Sequence, residues 1–458
     1  MIFLRFIFCI FSILITGYTI LRLFFHPKER LPLGEVIVLA FGIGTGFVSL
    51  ETFFLSFTKI LLSAGYLLLF QLILFVIAIF KFKKYFFYWR KSYTDEKLTY
   101  SPLTLFFLLI ILWEIIYVFL DAFRLPFTAW DAWGHWGFQA KIFFLEKTFP
   151  FQLWTQLPWI KHPNHLGSPL LIPFLEAYIY FFLGQVHEPL VKVFCSFYYV
   201  CIIVLFYYQL RRQFLDKFVL GSCLCLATIP NLINQAPIGY MDIPLTFYIT
   251  CGILYIWRYL QEKDRSFLLL GSIFIGLSMW TKNEGFSLWL ALFLSCILIC
   301  LWFKLNINKR GFLFTVLFIP LLIYFPWLIF KYSLGIKVGY FQSSLNEFFG
   351  LAKQRLPLIL DIWIRNCLNT QKWNIFWFSF IFSLLWFFVK PYKKISIFLF
   401  FIVVFQLIFY FIIYIIWPIT MSDIELQILN SVDRLPLHII PVALLFICQQ
   451  LGETWKIA

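Results

Sequence analysis

Charge is what this chain lacks. Only 22 of its 458 residues are Asp or Glu, and charged residues of both signs make up 13%, against roughly a quarter in soluble domains. So little charge cannot cover a fold of this size in water, which excludes a soluble globular protein. Histidine is also scarce, with six in the chain. No CxxC pair occurs, and nearly all ten cysteines lie inside apolar runs, only Cys367 falling in a long loop. A disulfide framework is therefore excluded, and the cysteines read as small apolar residues of buried helices. There is no Gly/Ser-rich linker and no repeat of solenoid period, so neither a string of soluble domains nor a stacked array is expected.

What is present is apolar. Hydrophobic residues make up 62% of the chain, Phe alone numbers 62, and the mean hydropathy is +0.87. The formal charge of +15 could suggest nucleic acid, but its Lys and Arg residues are spread over short connections between apolar runs. A cytoplasmic excess of basic residues accounts for it, and no nucleic-acid partner is expected. The first run, Arg5 to Phe25, lacks a small-residue cleavage site and reads as a retained helix.

A helix needs about 20 apolar residues to cross a bilayer, fewer where neighbours shield its ends. Such runs fall near 3–25, 34–57, 60–80, 102–120, 189–210, 217–233, 243–260, 267–280, 286–303, 311–330, 375–389, 395–417 and 435–450. The expected fold class is thus all-α, a polytopic transmembrane helical bundle of about 13 spans with membrane lipids as its surroundings. Basic clusters at Lys81–Lys91, Arg211–Lys217, Lys263–Arg265, Lys304–Arg310 and Lys390–Lys394 all fall on one side when the spans are counted. The positive-inside rule makes that side cytoplasmic. Two long connections, 121–188 and 331–374, are then extracytoplasmic. Pro169–Gly184 within the first is short and carries Pro173 and Glu176, so it is expected to be a juxtamembrane or partly embedded helix. The second carries amphipathic patterning at Leu345, Phe348, Phe349 and Leu351 and is expected to form another interfacial helix. Three regions follow: an N-terminal three-helix extension over 1–98, a membrane core over 99–303, and C-terminal helices over 304–458 that include the 331–374 loop.

Within this apolar frame the segment Trp130–Lys141 stands out, with Asp131, His135 and Lys141 among three tryptophans. Asp131 and His135, four apart, share a face at helical spacing. Alone, the segment reads equally as an interfacial anchor. The topology, however, puts other unusual residues on the same face: His162 and His165, Glu188 and Lys192, Asp242, Lys282 and Glu284, and Asp423 through Asp433-Arg434. Charge kept beside hydrocarbon is more often functional than incidental. Plainer readings stand beside each. Asp242 could cap its helix, Lys282 and Glu284 could be a solvated pair, and Arg434 could pair with its neighbour Asp433. His162 and His165 have a metal-ligand spacing, but Pro163 opposes a regular helix presenting both rings. Glu51 and Glu114 lie within predicted spans without an obvious partner.

As a set these motifs resemble the GT-C superfamily of membrane glycosyltransferases, in particular the branch of protein O-mannosyltransferases and the lipid A aminoarabinose transferase. The resemblance covers roughly 100–303. Asp131 stands where that branch carries an Asp at the start of its first large extracytoplasmic loop, with Ala132 in place of a second acid. His162-Pro163, followed by Leu170-Leu171, is similar to a His-Pro-Pro-Leu segment with Asn164–Gly167 inserted. Lys192 stands for the basic residue opening the next span. Tyr240-Met241-Asp242-Ile243-Pro244-Leu245 nearly matches a Tyr-x-x-Asp-x-Pro-Leu pattern, and Thr281-Lys282 with Gly285 a Thr-Lys…Gly one.

The resemblance implies a donor sugar on a polyprenyl phosphate and an extracytoplasmic acceptor that is a glycan, lipid or protein. A phosphate leaving group is stable as an anion, so one carboxylate acting as base suffices, in contrast with the paired acids of glycoside hydrolysis. Asp131 would be that base, giving inversion, with His135 or His162 orienting the acceptor. Lys282, Arg434, Lys192 and Lys141 are the candidates for holding the donor phosphate. Asp242 and Glu284 would bind the donor sugar or a divalent metal. The resemblance names no certain cofactor and leaves metal dependence open. The expected site is an integral membrane, a bacterial inner membrane with the reacting groups facing the exterior. A transporter or lipid flippase is the alternative, but such proteins usually show repeated halves and ionisable groups near the midplane.

Overall fold

The computed structural model describes residues 1–25, 31–58, 60–86, 101–151, 167–303, 307–335, 345–389, 394–417 and 421–456. Among them are nineteen α-helices. In chain order these are α1 (Ile2–Phe24), α2 (Leu33–Leu55), α3 (Ala64–Phe86), α4 (Pro102–Arg124), α5 (Gly137–Glu146), α6 (Leu171–Leu183), α7 (Glu188–Arg211), α8 (Asp216–Ala227), α9 (Pro230–Gln235) and α10 (Asp242–Glu262). The rest are α11 (Arg265–Thr281), α12 (Glu284–Trp302), α13 (Lys309–Ser333), α14 (Leu345–Cys367), α15 (Thr370–Trp373), α16 (Phe376–Val389), α17 (Lys394–Ile416), α18 (Met421–Ser431) and α19 (Ile440–Leu451).

Nine of the described helices are long and apolar enough to cross a membrane: α1 to α4, α7, α10, α12, α13 and α17. A helix of 23 residues, such as α2, is about 35 Å long, enough for the hydrocarbon layer. The four other expected spans take different forms. The run 217–233 divides into α8 and α9 at Pro230, whose ring and missing N–H end the first helix. Helices α11 and α16 are apolar but only 17 and 14 residues long. The run 435–450 joins α18 across a 42° bend, and the pair passes as a tenth, broken span. Short or broken helices are stable at membrane depth when neighbouring helices satisfy their ends.

Local chemistry fixes several helix starts. Ser101 and Thr104 form a capping box at α4 with Pro102 in its first turn, and the His187 ring accepts from the Leu190 amide at α7. The apolar cluster that fills the bundle draws on α1 and α2 as well as on α7, α10, α11 and α19. Helix α6 has all 13 residues buried, packed between α2 and α5, so the short segment expected beside the membrane is enclosed by protein.

Two buried polar groups tie α1–α3 to the rest. Near the C-terminal end of α2, Glu51 accepts from Gln71 on α3 (2.8 Å), which also donates to Tyr178 on α6 (2.9 Å). At the far end, the fully buried Glu35 of α2 accepts from Gln209 (2.8 Å), Arg212 (3.1 Å) and Arg258 (3.4 Å), with Tyr255 also bonded to it. Arg258 lies sixteen residues along α10 from Asp242, about 24 Å on helical rise. The two ends of α10 therefore carry separate charged clusters.

Candidate active site

The cluster at the N-terminal end of α10 assembles from four distant parts of the chain. Asp242 is fully buried and opens the helix. Its Oδ1 accepts from Lys282 Nζ at 2.9 Å and from His438 Nε2 at 3.0 Å, and its Oδ2 from Arg434 Nε at 2.9 Å. Capping is thus not its role, since both oxygens point away from the helix's own amides and no side-chain cap bond is made. Arg434 continues the chain of contacts: its Nη1 donates to Asp131 Oδ2 at 2.7 Å. Lys282 also reaches Glu284 at 3.0 Å. One connected network therefore runs Asp131–Arg434–Asp242–Lys282–Glu284, with His438 attached at Asp242.

Each member is placed by local backbone chemistry. Lys282 ends α11 as its C-cap, and a tight turn returns the chain into α12, with the Gly285 amide donating to Lys282 O at 2.9 Å. A Cβ on Gly285 would lie 2.1 Å from Ser278 O, so only glycine lets α12 start this close to α11. Asp131 precedes a π-helical turn, Ala132–Trp136, a deviation often found at functional sites. Phe127 supports that turn from below. Its ring occupies the space a Cβ would take on both Gly137 and Gly239, and Gly239 holds φ +83°. Arg434 lies in the bend between α18 and the 3-10 turn Leu435–Ile439, with its guanidinium carbon 4.3 Å from the Tyr240 ring centroid, a cation–π contact.

The electrostatics follow from burial and pairing. Burial draws the Lys282 ammonium down, but Asp242 and Glu284 beside it outweigh that and hold it above its ordinary value. Burial first, and then the Asp131 charge, push the Tyr240 phenol up, so it remains a neutral platform under Arg434. His438 must donate from Nε2 to the carboxylate, which leaves Nδ1 to accept from Tyr410 OH at 2.9 Å. Asp242 is nearly saturated with donors. Asp131 is not: its side chain is 31% exposed and Oδ1 accepts nothing among the described residues.

Other candidate residues stand apart from this network. Lys192 donates to the carbonyls of Leu125 (3.0 Å) and Pro126 (3.3 Å), and Lys141 pairs with Glu188, which also accepts from the Phe127 amide at 2.9 Å. These contacts fasten the 125–127 strand of loop that leads to Asp131, and the two lysines' charges are already engaged there. His135 is buried and stacked on Trp136, whereas Asp131 beside it is part-exposed. His162 and His165 lie outside the described residues. Asp433 does not pair with Arg434; its carboxylate goes to Lys372 and Asn366. His438 is the member that sequence reasoning missed, and its signal was a lone imidazole in the apolar run Leu435–Ile440. As for a metal, the described residues hold no group of three or more His, Cys, Asp or Glu arranged to bind one. Asp242, moreover, has both oxygens committed to cations and His438.

No curated protein and no solved structure matches the chain. Residues 167–330, which supply Lys192, Asp242, Lys282 and Glu284, match the family model of dolichyl-phosphate-mannose-protein mannosyltransferases.

Proposed function

We propose that the protein is an integral-membrane glycosyltransferase that moves a sugar from a polyprenyl-phosphate donor to an extracytoplasmic acceptor with inversion. The family match supports a membrane glycosyltransferase with a lipid-linked donor. The observation that carries the finer reading is the direct bond between Arg434 and both Asp131 and Asp242, which sets a carboxylate oxygen with no donor of its own beside a guanidinium that Asp242 links to Lys282. Asp131 Oδ1 takes the proton from an acceptor hydroxyl as that oxygen attacks the anomeric carbon. The bond from the anomeric carbon to the phosphate oxygen breaks on the opposite side, and the electron pair leaves with polyprenyl phosphate.

The developing charge on phosphate falls to groups with donors to spare. Arg434 uses Nε and Nη1 within the cluster and keeps Nη2, and Lys282 keeps one of its three N–H bonds. Fixed cations in a site shielded from water are the strongest lever on such a step. Asp242 and His438 hold those cations in register, and Glu284 balances Lys282 and meets donor hydroxyls. Lys192 and Lys141 act one step back by holding the loop before Asp131. The three regions 1–98, 99–303 and 304–458 then read as extension, catalytic core and the helices that deliver Arg434. The location proposed is a bacterial inner membrane with the site facing outward.

The test is transfer itself. Purified protein in nanodiscs is supplied with polyprenyl-phosphate sugars, and cell-envelope glycans and lipids are compared by mass spectrometry with and without the gene. Gain of a sugar of inverted anomeric configuration is the expected result, and identical envelopes together with no transfer from any such donor would overturn the proposal.

A further inference from the structure

Asp433 is held from two sides. Lys372 Nζ donates to its Oδ1 at 2.7 Å and Oδ2 at 2.8 Å, and Asn366 Nδ2 to Oδ1 at 2.8 Å. The buried Trp373 indole donates to Asn366 Oδ1 at 2.8 Å, which fixes the amide so that its nitrogen faces Asp433. From the other side, Asn231 of α9 donates to the Asp433 main-chain oxygen. Lys372 and Asp433 are about a third exposed, 39% and 33%, and as an isolated pair they would contribute little. Asn366, Asn231 and Trp373 are buried, and they convert the pair into a built clamp.

The clamped residue sits at the 42° break between α18 and the following helix, immediately before Arg434. Within the turn the Arg434 amide donates to Ser431 O at 2.9 Å, and the bonds to Asp433 tie the turn to α9, α14 and α15. Arg434 must reach Asp242 and Asp131 at once, so a small rotation at residue 433 would carry the guanidinium away from one of them. We propose that Lys372 and Asn366 are positioning residues for Arg434, acting through Asp433, so that the α14–α15 segment between two membrane helices sets the geometry of the site. The inference rests on the reading of Arg434 as the donor-phosphate ligand.

The test uses the full chain in nanodiscs, with Lys372→Met and Asn366→Ala made alone and in an Arg434→Lys background. Each single change is expected to lower kcat/KM for the lipid-linked donor by about tenfold or more, the order that small misplacement of a binding group produces. The acceptor KM should stay constant, and Lys372→Arg should restore activity. In the Arg434→Lys background, Lys372→Met should have no further effect, because the group it positions is gone. Amide exchange at Arg434 and Leu437 should rise in Lys372→Met while that of α10 does not change. Equal losses in both backgrounds, or unchanged exchange at Arg434 and Leu437, would overturn the clamp. If the wild-type protein transfers no sugar, the proposed function fails, and the exchange measurement alone decides the clamp.

Discussion

Arg434 Nη1 and Asp131 Oδ2 are 2.7 Å apart although 303 residues separate them in the chain. Arg434 lies after the second long connection and Asp131 within the first, so the site closes only when the C-terminal helices have docked on the rest. The same guanidinium bonds Asp242, and that double engagement determines how the site responds to substitution.

Asp131→Asn keeps an oxygen for Arg434 but cannot take a proton. Sugar transfer should fall by about 100-fold or more, the range seen when a general base is lost, while expression and melting temperature stay near wild type. Comparing turnover in nanodiscs with thermal melts separates the two effects. Retained turnover in this variant would remove Asp131 from the role of base.

Asp242→Ala should act on the fold as well as on activity. It leaves Lys282 and Arg434 buried with one carboxylate partner each, and breaking a buried pair from one side destabilises by about 3–5 kcal/mol. Asp242→Asn should be milder, since it still accepts one bond from Arg434. Melts of the two variants side by side should rank Ala well below Asn; equal melting would mean that the carboxylate does not hold these cations.

Arg434→Lys preserves charge but has one point donor where the guanidinium has a fork. It cannot span Asp131 and Asp242 and stack on Tyr240 together. Activity should fall at least about tenfold, one lost charge-assisted contact being about 1.5–3 kcal/mol, with donor KM rising more than acceptor KM. Kinetics against each substrate in turn would check this, and a change confined to the acceptor would contradict the placement at the phosphate.

Gly239→Ala places a methyl group 2.5 Å from the Phe127 ring at φ +83°. The strain alone is about 1–3 kcal/mol, and the ring can yield only by disturbing the turn that carries Asp131. A lower melting temperature and reduced transfer should appear together, and a second change, Phe127→Leu, should recover part of both by making room. Failure of the double variant to recover either would show that the ring is not the obstacle.

Much of this organisation is legible in the sequence because hydrocarbon imposes strict rules. Nine described helices long enough to span fall on nine of the apolar runs, since a run of 20 apolar residues has few other uses. Arg265–Thr281 and Phe376–Val389 are harder to read, because whether a short helix can stand at membrane depth depends on neighbours that one segment does not reveal. Loop charges lead the sequence reading to put Asp131, Asp242, Lys282 and Arg434 on one face, and their meeting within hydrogen-bond distance is a property of the folded chain. Which cation meets which anion does not follow. Glu188 is 47 residues from Lys141 and Lys372 is 61 from Asp433, and such partners are found only in the folded chain. His438 was hidden by its apolar neighbours, and its bond to Asp242 spans 196 residues.

Glu35 has a consequence for assembly. Its partners Arg212 and Arg258 follow it by 177 and 223 residues, so α2 enters the membrane long before either has been synthesised. An ionised carboxylate buried alone is unfavourable by several kcal/mol, so until those arginines arrive Glu35 must either take up a proton or keep the start of α2 at the water boundary. The first helices are thus held in a provisional state during synthesis, and the later ones complete their docking rather than merely adding to it.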